Sequence, residues 1–520
     1  MRVGAGDLME KVRRIDAADS KASYLVRDLD ANIDHINRTV GVGKSYDMIF
    51  RRFRIAGIDV ATYVINGYFD TLVNIEILDK LGDHDFGSPV GATDSGEGAS
   101  GKRLAYMQQL LQERLVYSQV TVTESFDEAL LNLLAGPMIM LVDGEAAVIV
   151  IDTRDYPDRA PGAPNTEQVV NGPRDGFVEN IIMNSALIRR RMRDPGLRFE
   201  LHKVGRRSRS DVAITYVEGV TSPRLIAEVR RRLKAIKVDA IPTAQVALAE
   251  FIGHSPWNPF PMVRTTQRPD VAAISLMEGH VVLVVDTTPV VVILPTTLLQ
   301  LLQHPEEYFI NPVFGTYMRW MEFLAAAAAI LMPPLWLLLA THPALRHAIP
   351  ALSFIGPKKP SKVSLVVQFL LVEVSIDILR RAILNSPQSL AATFGILGAV
   401  VLGQVASAAG IFSSEALVYV VFAVVSSFAI SNLELGMATR LIRVSLILLQ
   451  WLWALPGLVV GCLFWLVLAL RSESLGVPYL WPLAPFNWPS LRSVLIRQPV
   501  TWPVPRPAIF DPRDHWHGRP

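Results

Sequence analysis

The chain has 520 residues, of which 51% are hydrophobic and 19% charged, with a formal net charge of +2. So small a net charge excludes a global field for a polyanion such as nucleic acid. A lone cysteine, Cys462, excludes an intrachain disulfide framework or a thiolate metal site.

The length predicts two or more domains. The N-terminus, MRVGAGDLMEKVRR, is polar and lacks an apolar signal-peptide core, so the soluble part is expected on the cytoplasmic side. Residues 7–38 read as a polar helical segment. Ile58–Ile65 is a β-branched run closed by Asn66-Gly67, the pattern of a strand and turn. Residues 72–81 look helical, and 82–101, rich in Gly, Ser and Asp, form a flexible loop.

Met138–Val142 and Ala146–Ile151 flank Asp143-Gly144 and predict a β-hairpin. A helix is expected over 175–193, ended by Asp194-Pro195-Gly196. Strands follow near 197–204 and 211–217, then an amphipathic helix over about 223–236. The stretch 279–302 is apolar enough for a membrane span, but Asp286 would lie at its centre and Pro289 and Pro295 would break it. Its Val and Ile content favours strands. Gly136–Asp143 and Gly279–Asp286 share their spacing, which suggests two related soluble subdomains, each built on a buried hairpin.

Charge then thins out. Apolar runs at Phe323–Ala340, Val363–Ile378, Leu390–Phe412, Ala416–Leu433 and Val444–Leu470 are candidate spans. Trp320, Trp451, Trp453 and Trp465 are placed to mark interfaces. The Arg-rich soluble region points inside by the distribution of basic residues. Lys358, Lys359 and Lys362 then fall on the wrong side, so 363–379 is read as interfacial or re-entrant. The expected fold is an α+β soluble N-terminal region of two related subdomains followed by an α-helical transmembrane domain. Expected boundaries are 1–101, 102–250, 251–318, 319–472 and a Pro/Trp-rich tail over 473–520.

Few motifs carry chemistry. Gly41-Val-Gly-Lys-Ser45 ends like a phosphate-binding loop, but Arg38 occupies the place of its first glycine. Gly96–Lys102 is followed by Arg103 where a magnesium-binding hydroxyl is needed. The histidines show no metal-site spacing. No enzyme constellation, cofactor site or metal site is expected. Basic clusters at Arg189–Arg193, Arg206–Arg209 and Arg230–Lys234 are solvated surfaces, or contacts for anionic lipid or an acidic partner protein. Glu373 and Asp377 share a helical face followed by Arg380 and Arg381, which predicts local pairing at an interfacial level. Segment 390–412 carries no charge and is rich in Gly and Ala, so it suits close packing or a pore lining. Leu397, Val400, Gln404 and Ser407 are its candidate pore-lining residues, with Glu415 as a carboxylate at its end.

The block GPRDGFVENIIMNSALIRRRMRDPGLRFELHKVGRRSRSDVAITYVEGV over 172–220 resembles the hallmark of the spore-germination receptor A-subunit (GerA) family. So do Asn258-Pro-Phe-Pro-Met-Val-Arg264 with Arg268-Pro-Asp270, where Gln267 replaces the usual Glu. Ser427–Gly436 resembles the late membrane block, with Ser431 where Pro is common. Gly41-Val-Gly, Ile65–Thr71 and Pro485–Trp488 look most like the stage V sporulation protein AF branch. The resemblance implies a protein of the spore inner membrane, its soluble region facing the spore core. It also implies assembly into a homo-oligomeric ring around an ion pathway, beside other germination membrane proteins and a small membrane partner. A non-conducting scaffold is the alternative.

Overall fold

In a computed structural model the chain is described over residues 25–516, apart from 56–57, 69–119, 154–163, 165–166, 168, 242, 254–256, 344–354, 358–361, 386–392, 394, 399, 406–407, 500, 503–505, 513 and 515. The expected helix over 72–81 and loop over 82–101 lie outside the described residues.

Helix α1 (Leu29–Val40) begins where the Asp28 carboxylate accepts the Asp30 N–H and ends at Gly41 in the left-handed conformation. It covers a five-stranded antiparallel sheet of strands β1 (Met48–Ile55), β2 (Ile58–Ile65), β3 (Val120–Thr123), β4 (Met138–Val142) and β5 (Val148–Ile151), in the order β1-β2-β4-β5-β3. Helix α2 (Phe126–Ala135) packs beside α1.

Helix α3 (Ile181–Arg191) opens a second sheet with the same strand order: β6 (Leu197–Val204), β7 (Ser210–Val217), β9 (Val281–Val285), β10 (Val291–Leu294) and β8 (Arg264–Thr266). Helices α4 (Pro223–Ala235), α5 (Ala244–Gly253) and α6 (Pro269–Met277) pack around it. Every residue of β9 and β10 is buried, and each such Val, Ile or Leu contributes about 1.5–3 kcal/mol. The stretch 279–302 is therefore a hairpin of the sheet. Asp286, too polar for lipid, sits at the turn, where its carboxylate accepts the Ile181 N–H at 3.1 Å.

Strand pairing crosses two of the expected boundaries. β2 pairs with β4 across residue 101, and β7 pairs with β9 across residue 250. Strand pairing joins residues distant in sequence, so local composition did not reveal it.

Among the described residues two helices are long and apolar enough to cross a membrane: α7 (Pro312–Thr341) and α10 (Leu433–Arg471). Between them lie α8 (Leu365–Leu384), a π-helical stretch (Val400–Val405) and α9 (Ser414–Phe428). α10 is two arms. Ala454 has φ 53° and ψ −132°, and beyond it the chain doubles back. The Trp465 indole N–H donates to the Ser445 hydroxyl at 2.7 Å, and a Cβ on Gly461 would lie 2.6 Å from the Leu446 side chain. In one straight helix, residues 20 apart would be about 30 Å apart. Trp465 thus packs across this hairpin.

An alanine at φ 53° is strained, and glycine is not. Ala454→Gly is expected to stabilise the protein by about 1 kcal/mol, read as a higher melting midpoint in detergent. A lower midpoint would count against the tight reversal.

The tail returns to the sheets. Asn258 donates to the Ser472 hydroxyl at 2.8 Å, Thr296 N–H to Ser474 at 3.1 Å, and Leu298 N–H to the Tyr479 carbonyl at 2.8 Å. Helix α11 (Trp488–Leu495) gives the Ser493 and Val494 carbonyls to Arg319. The C-terminal tail therefore packs against the N-terminal region.

Candidate functional site

Three places bring charge or unusual packing together. The first lies inside the helices. Arg443 of α10 and Glu373 of α8 are 0% and 2% exposed. The Glu373 carboxylate accepts from Arg443 Nε at 2.6 Å and Nη2 at 3.0 Å, a bidentate fork. Arg443 Nη1 donates to the Ala329 carbonyl of α7 at 2.6 Å. Arg440, one helical turn earlier, pairs with Asp377 and lies 3.6 Å from Glu373. Two carboxylates and two guanidiniums make a neutral set that ties three helices.

This corrects the pairing expected from sequence. Arg381 is exposed, and Arg380 stacks on the Phe428 ring at 5.8 Å. Glu373 and Asp377 do share a face, but that face meets α10, some seventy positions along the chain. The signal available in the sequence was Arg440 and Arg443 themselves, two arginines three apart in an otherwise apolar stretch.

The second place is the candidate pore segment. Leu397 and Val400 are 57% and 40% exposed, and Gln404 is exposed. On another face a Cβ at Gly398 would meet the Leu379 side chain of α8 at 2.6 Å, whereas Gly403 has nothing within 4 Å. The segment thus presses one face on α8 and turns Leu397, Val400 and Gln404 outward. Val400 to Val405 are π-helical, a form often found at functional positions. Ser407 lies outside the described residues. Glu415 is half-buried in the first turn of α9.

The third place is a cleft of about 550 Å³ between the second sheet and the helices. Thr265, Gln267 and Gln245 line it on the sheet side. Arg380, Ser427, Asn432, Glu434 and Arg440 line it on the helix side.

The phosphate-loop-like motif has a structural job. Ser45 is buried, donates to Asp47 at 2.5 Å and accepts the Phe199 N–H at 2.9 Å. Arg189, fully buried, grips Asp47 through Nε at 3.0 Å and Nη2 at 2.7 Å. Lys44 reaches Glu218 at 3.4 Å. Gly41 to Asp47 is therefore a joint between the two sheets. The basic clusters are largely neutralised as well. Arg191 pairs with Asp175, Arg206 and Arg207 with Asp239, Arg230 with Glu200, and Arg231 and Arg232 with Glu228.

A further joint sits where α7 leaves the sheets. Glu307, fully buried, pairs with Arg319 at 2.6 Å. Burial raises its carboxyl above the usual range, and Arg319 opposes that rise. Arg497 donates to the Tyr308 carbonyl at 2.8 Å and fixes the tail there. Among the described residues no group of three or more His, Cys, Asp or Glu is placed to hold a metal ion.

The family described as Bacillus/Clostridium GerA spore germination protein matches residues 34–509. The chain is 37% identical over 484 residues to stage V sporulation protein AF of Bacillus subtilis, covering 93% of this chain and 95% of that one. It is 29% identical to spore germination protein KA of the same organism, over 91% of this chain and 85% of that one. Among solved structures, the N-terminal domain of the A subunit of the Bacillus megaterium spore germinant receptor GerK3 is 27% identical with a TM-score of 0.39, covering 52% of this chain and 96% of that one.

Proposed function

The chain belongs to the GerA family of spore germination proteins, and from that premise we propose that it is a multi-pass spore inner-membrane subunit whose copies assemble into a ring-shaped ion channel. Segment 390–412 lines the pathway. The observation that carries this reading is the division of that segment's faces. Gly398 packs on α8, while Leu397, Val400 and Gln404 face outward from a single copy.

The helices fit six crossings. Arg380 stacks on Phe428 at the level of the sheet-side cleft. Glu373, Ala329 and Arg443 form a middle layer, and Trp336 stacks on Phe369 and Tyr419 beyond it. In this arrangement α7, segment 390–412 and the first arm of α10 run outward, and α8, α9 and the second arm return. Both the N-terminal region and the tail then face the spore core. The shared strand order of the two sheets supports a pair of related soluble subdomains.

Leu397 and Val400 form an apolar constriction that closes by dewetting, and Glu415 supplies carboxylates that favour cations. Val400→Ala is expected to raise basal ion leak from liposomes several-fold, while Glu415→Gln lowers cation preference. Gly398→Leu, which drives a side chain into Leu379, is expected to destabilise the protein outright. Leak unchanged by Val400→Ala in an intact oligomer would leave the scaffold reading in its place.

A further inference from the structure

The cleft between the second sheet and the helices is lined by four charged residues, Glu167, Arg380, Glu434 and Arg440, and two of them are already matched. Arg440 is committed to Asp377 and Glu373. Glu167 accepts the Thr266 hydroxyl at 2.5 Å and lies 4.0 Å from Arg264. Two lining groups are left over, one of each sign. Arg380 has a ring contact with Phe428 and is in no ion pair among the described residues, and Glu434 is likewise in no ion pair among them. They do not reach each other.

The surroundings of this pair are polar and under-used. The Ser431 hydroxyl is buried without a hydrogen-bond partner among the described residues. Asn432 caps α10 by accepting the Leu435 N–H at 2.9 Å, and among the described residues the N–H groups of Leu433 and Glu434 have no capping acceptor. A helix start with free N–H groups favours phosphate or carboxylate oxygens. Phe428 and Met437 add an apolar wall. The volume, about 550 Å³, lies within the range of about 300–1,000 Å³ typical of small-molecule sites.

We propose that this cleft binds a zwitterion, with its phosphate or carboxylate on Arg380, Ser431 and the start of α10, and its ammonium on Glu434. A plain anion would leave Glu434 facing it, and a plain cation would leave Arg380. One ligand carrying both charges matches both residues. The same chemistry is offered by an ethanolamine phospholipid headgroup entering from the membrane border and by a free small molecule.

The test uses full-length protein in a nonionic maltoside detergent, titrated with phosphoethanolamine by calorimetry. Saturable binding is expected, weakened about tenfold or more by Arg380→Gln and by Glu434→Gln, the usual consequence of losing one charged hydrogen-bonding partner. Inorganic phosphate alone and ethanolamine alone are expected to bind at least about tenfold more weakly than the joined molecule. Arg380→Lys, with a melting midpoint at the wild-type value, keeps measurable binding and separates ligand loss from misfolding.

A second arm identifies the source. Protein extracted from nanodiscs containing phosphatidylethanolamine is weighed by native mass spectrometry. A lipid retained by wild type and lost from both Gln variants assigns the site to the membrane. Phosphoethanolamine binding without lipid retention assigns it to a free molecule. The proposal is overturned if Glu434→Gln binds as wild type does, which would leave a plain anion site. It is equally overturned if folded wild-type protein shows neither binding nor variant-sensitive lipid retention. Ion flux enters neither arm, so the outcome is independent of the channel reading.

Discussion

Glu373→Gln is expected to cost the helical region about 3–5 kcal/mol, because it leaves a fully buried arginine without its counter-charge. Arg443 is 0% exposed and its three donor contacts go to Glu373 and to one backbone carbonyl. Desolvating a guanidinium is tolerable only while a carboxylate lies in its fork. With neutral Gln the charge stays buried and the attraction is gone. The predicted reading is a melting midpoint in detergent lowered by roughly 10 °C, with reduced yield of monodisperse protein.

A second substitution separates charge from shape. In Glu373→Gln with Arg443→Met the buried charge is removed altogether, and at least half of the lost stability should return. Asp377→Asn is expected to be mild, about 1 kcal/mol or less, since the Asp377 side chain is 46% exposed and its pair with Arg440 is partly screened. If Glu373→Gln melts with wild type, the network does not hold α7, α8 and α10 together.

The joint between the two sheets carries the other large effect. Asp47→Ala strips the buried Arg189 of its partner, and a loss of about 3–5 kcal/mol is again expected. Ser45 also loses the acceptor for its hydroxyl, so the Gly41 to Asp47 turn should loosen. The measurement is limited trypsin digestion of the full-length protein, in which the variant should be cut faster at the junction. Lys44→Ala is the contrast. Lys44 and Glu218 are 61% and 43% exposed, so the change should fall within about 1 kcal/mol. A true phosphate-binding loop would behave in the opposite way. Lys44→Ala would abolish an ATP-induced rise in melting midpoint, and here no such rise is expected even in wild type.

Much of the soluble fold was legible in the sequence because it is written locally. Ile58–Ile65, Met138–Val142 and the run around Asp286 each carry their own signal: β-branched residues, a turn dipeptide, or a carboxylate and prolines where a membrane helix would forbid them. The shared spacing of Gly136–Asp143 and Gly279–Asp286 was visible for the same reason. Their spacing is set by turn geometry and by strands buried on both faces.

Partnership was not legible. Glu373 and Asp377 were recognisable as unusual carboxylates in an apolar run, yet their nearest basic residues in sequence, Arg380 and Arg381, are not the ones they bind. Short spacing proposes partners within one helix, whereas burial selects whichever guanidinium the packing delivers. Here that is Arg443, and desolvation makes so close a pair necessary. The same holds for Asp47 with Arg189, for the reversal at Ala454 inside an apparently continuous apolar run, and for the cleft where Arg380 and Glu434 face the sheet. Amino-acid order set which segments could be strands, helices or spans. Only the tertiary structure decided which charges share a low-dielectric site, because that depends on distances between segments that no local pattern encodes.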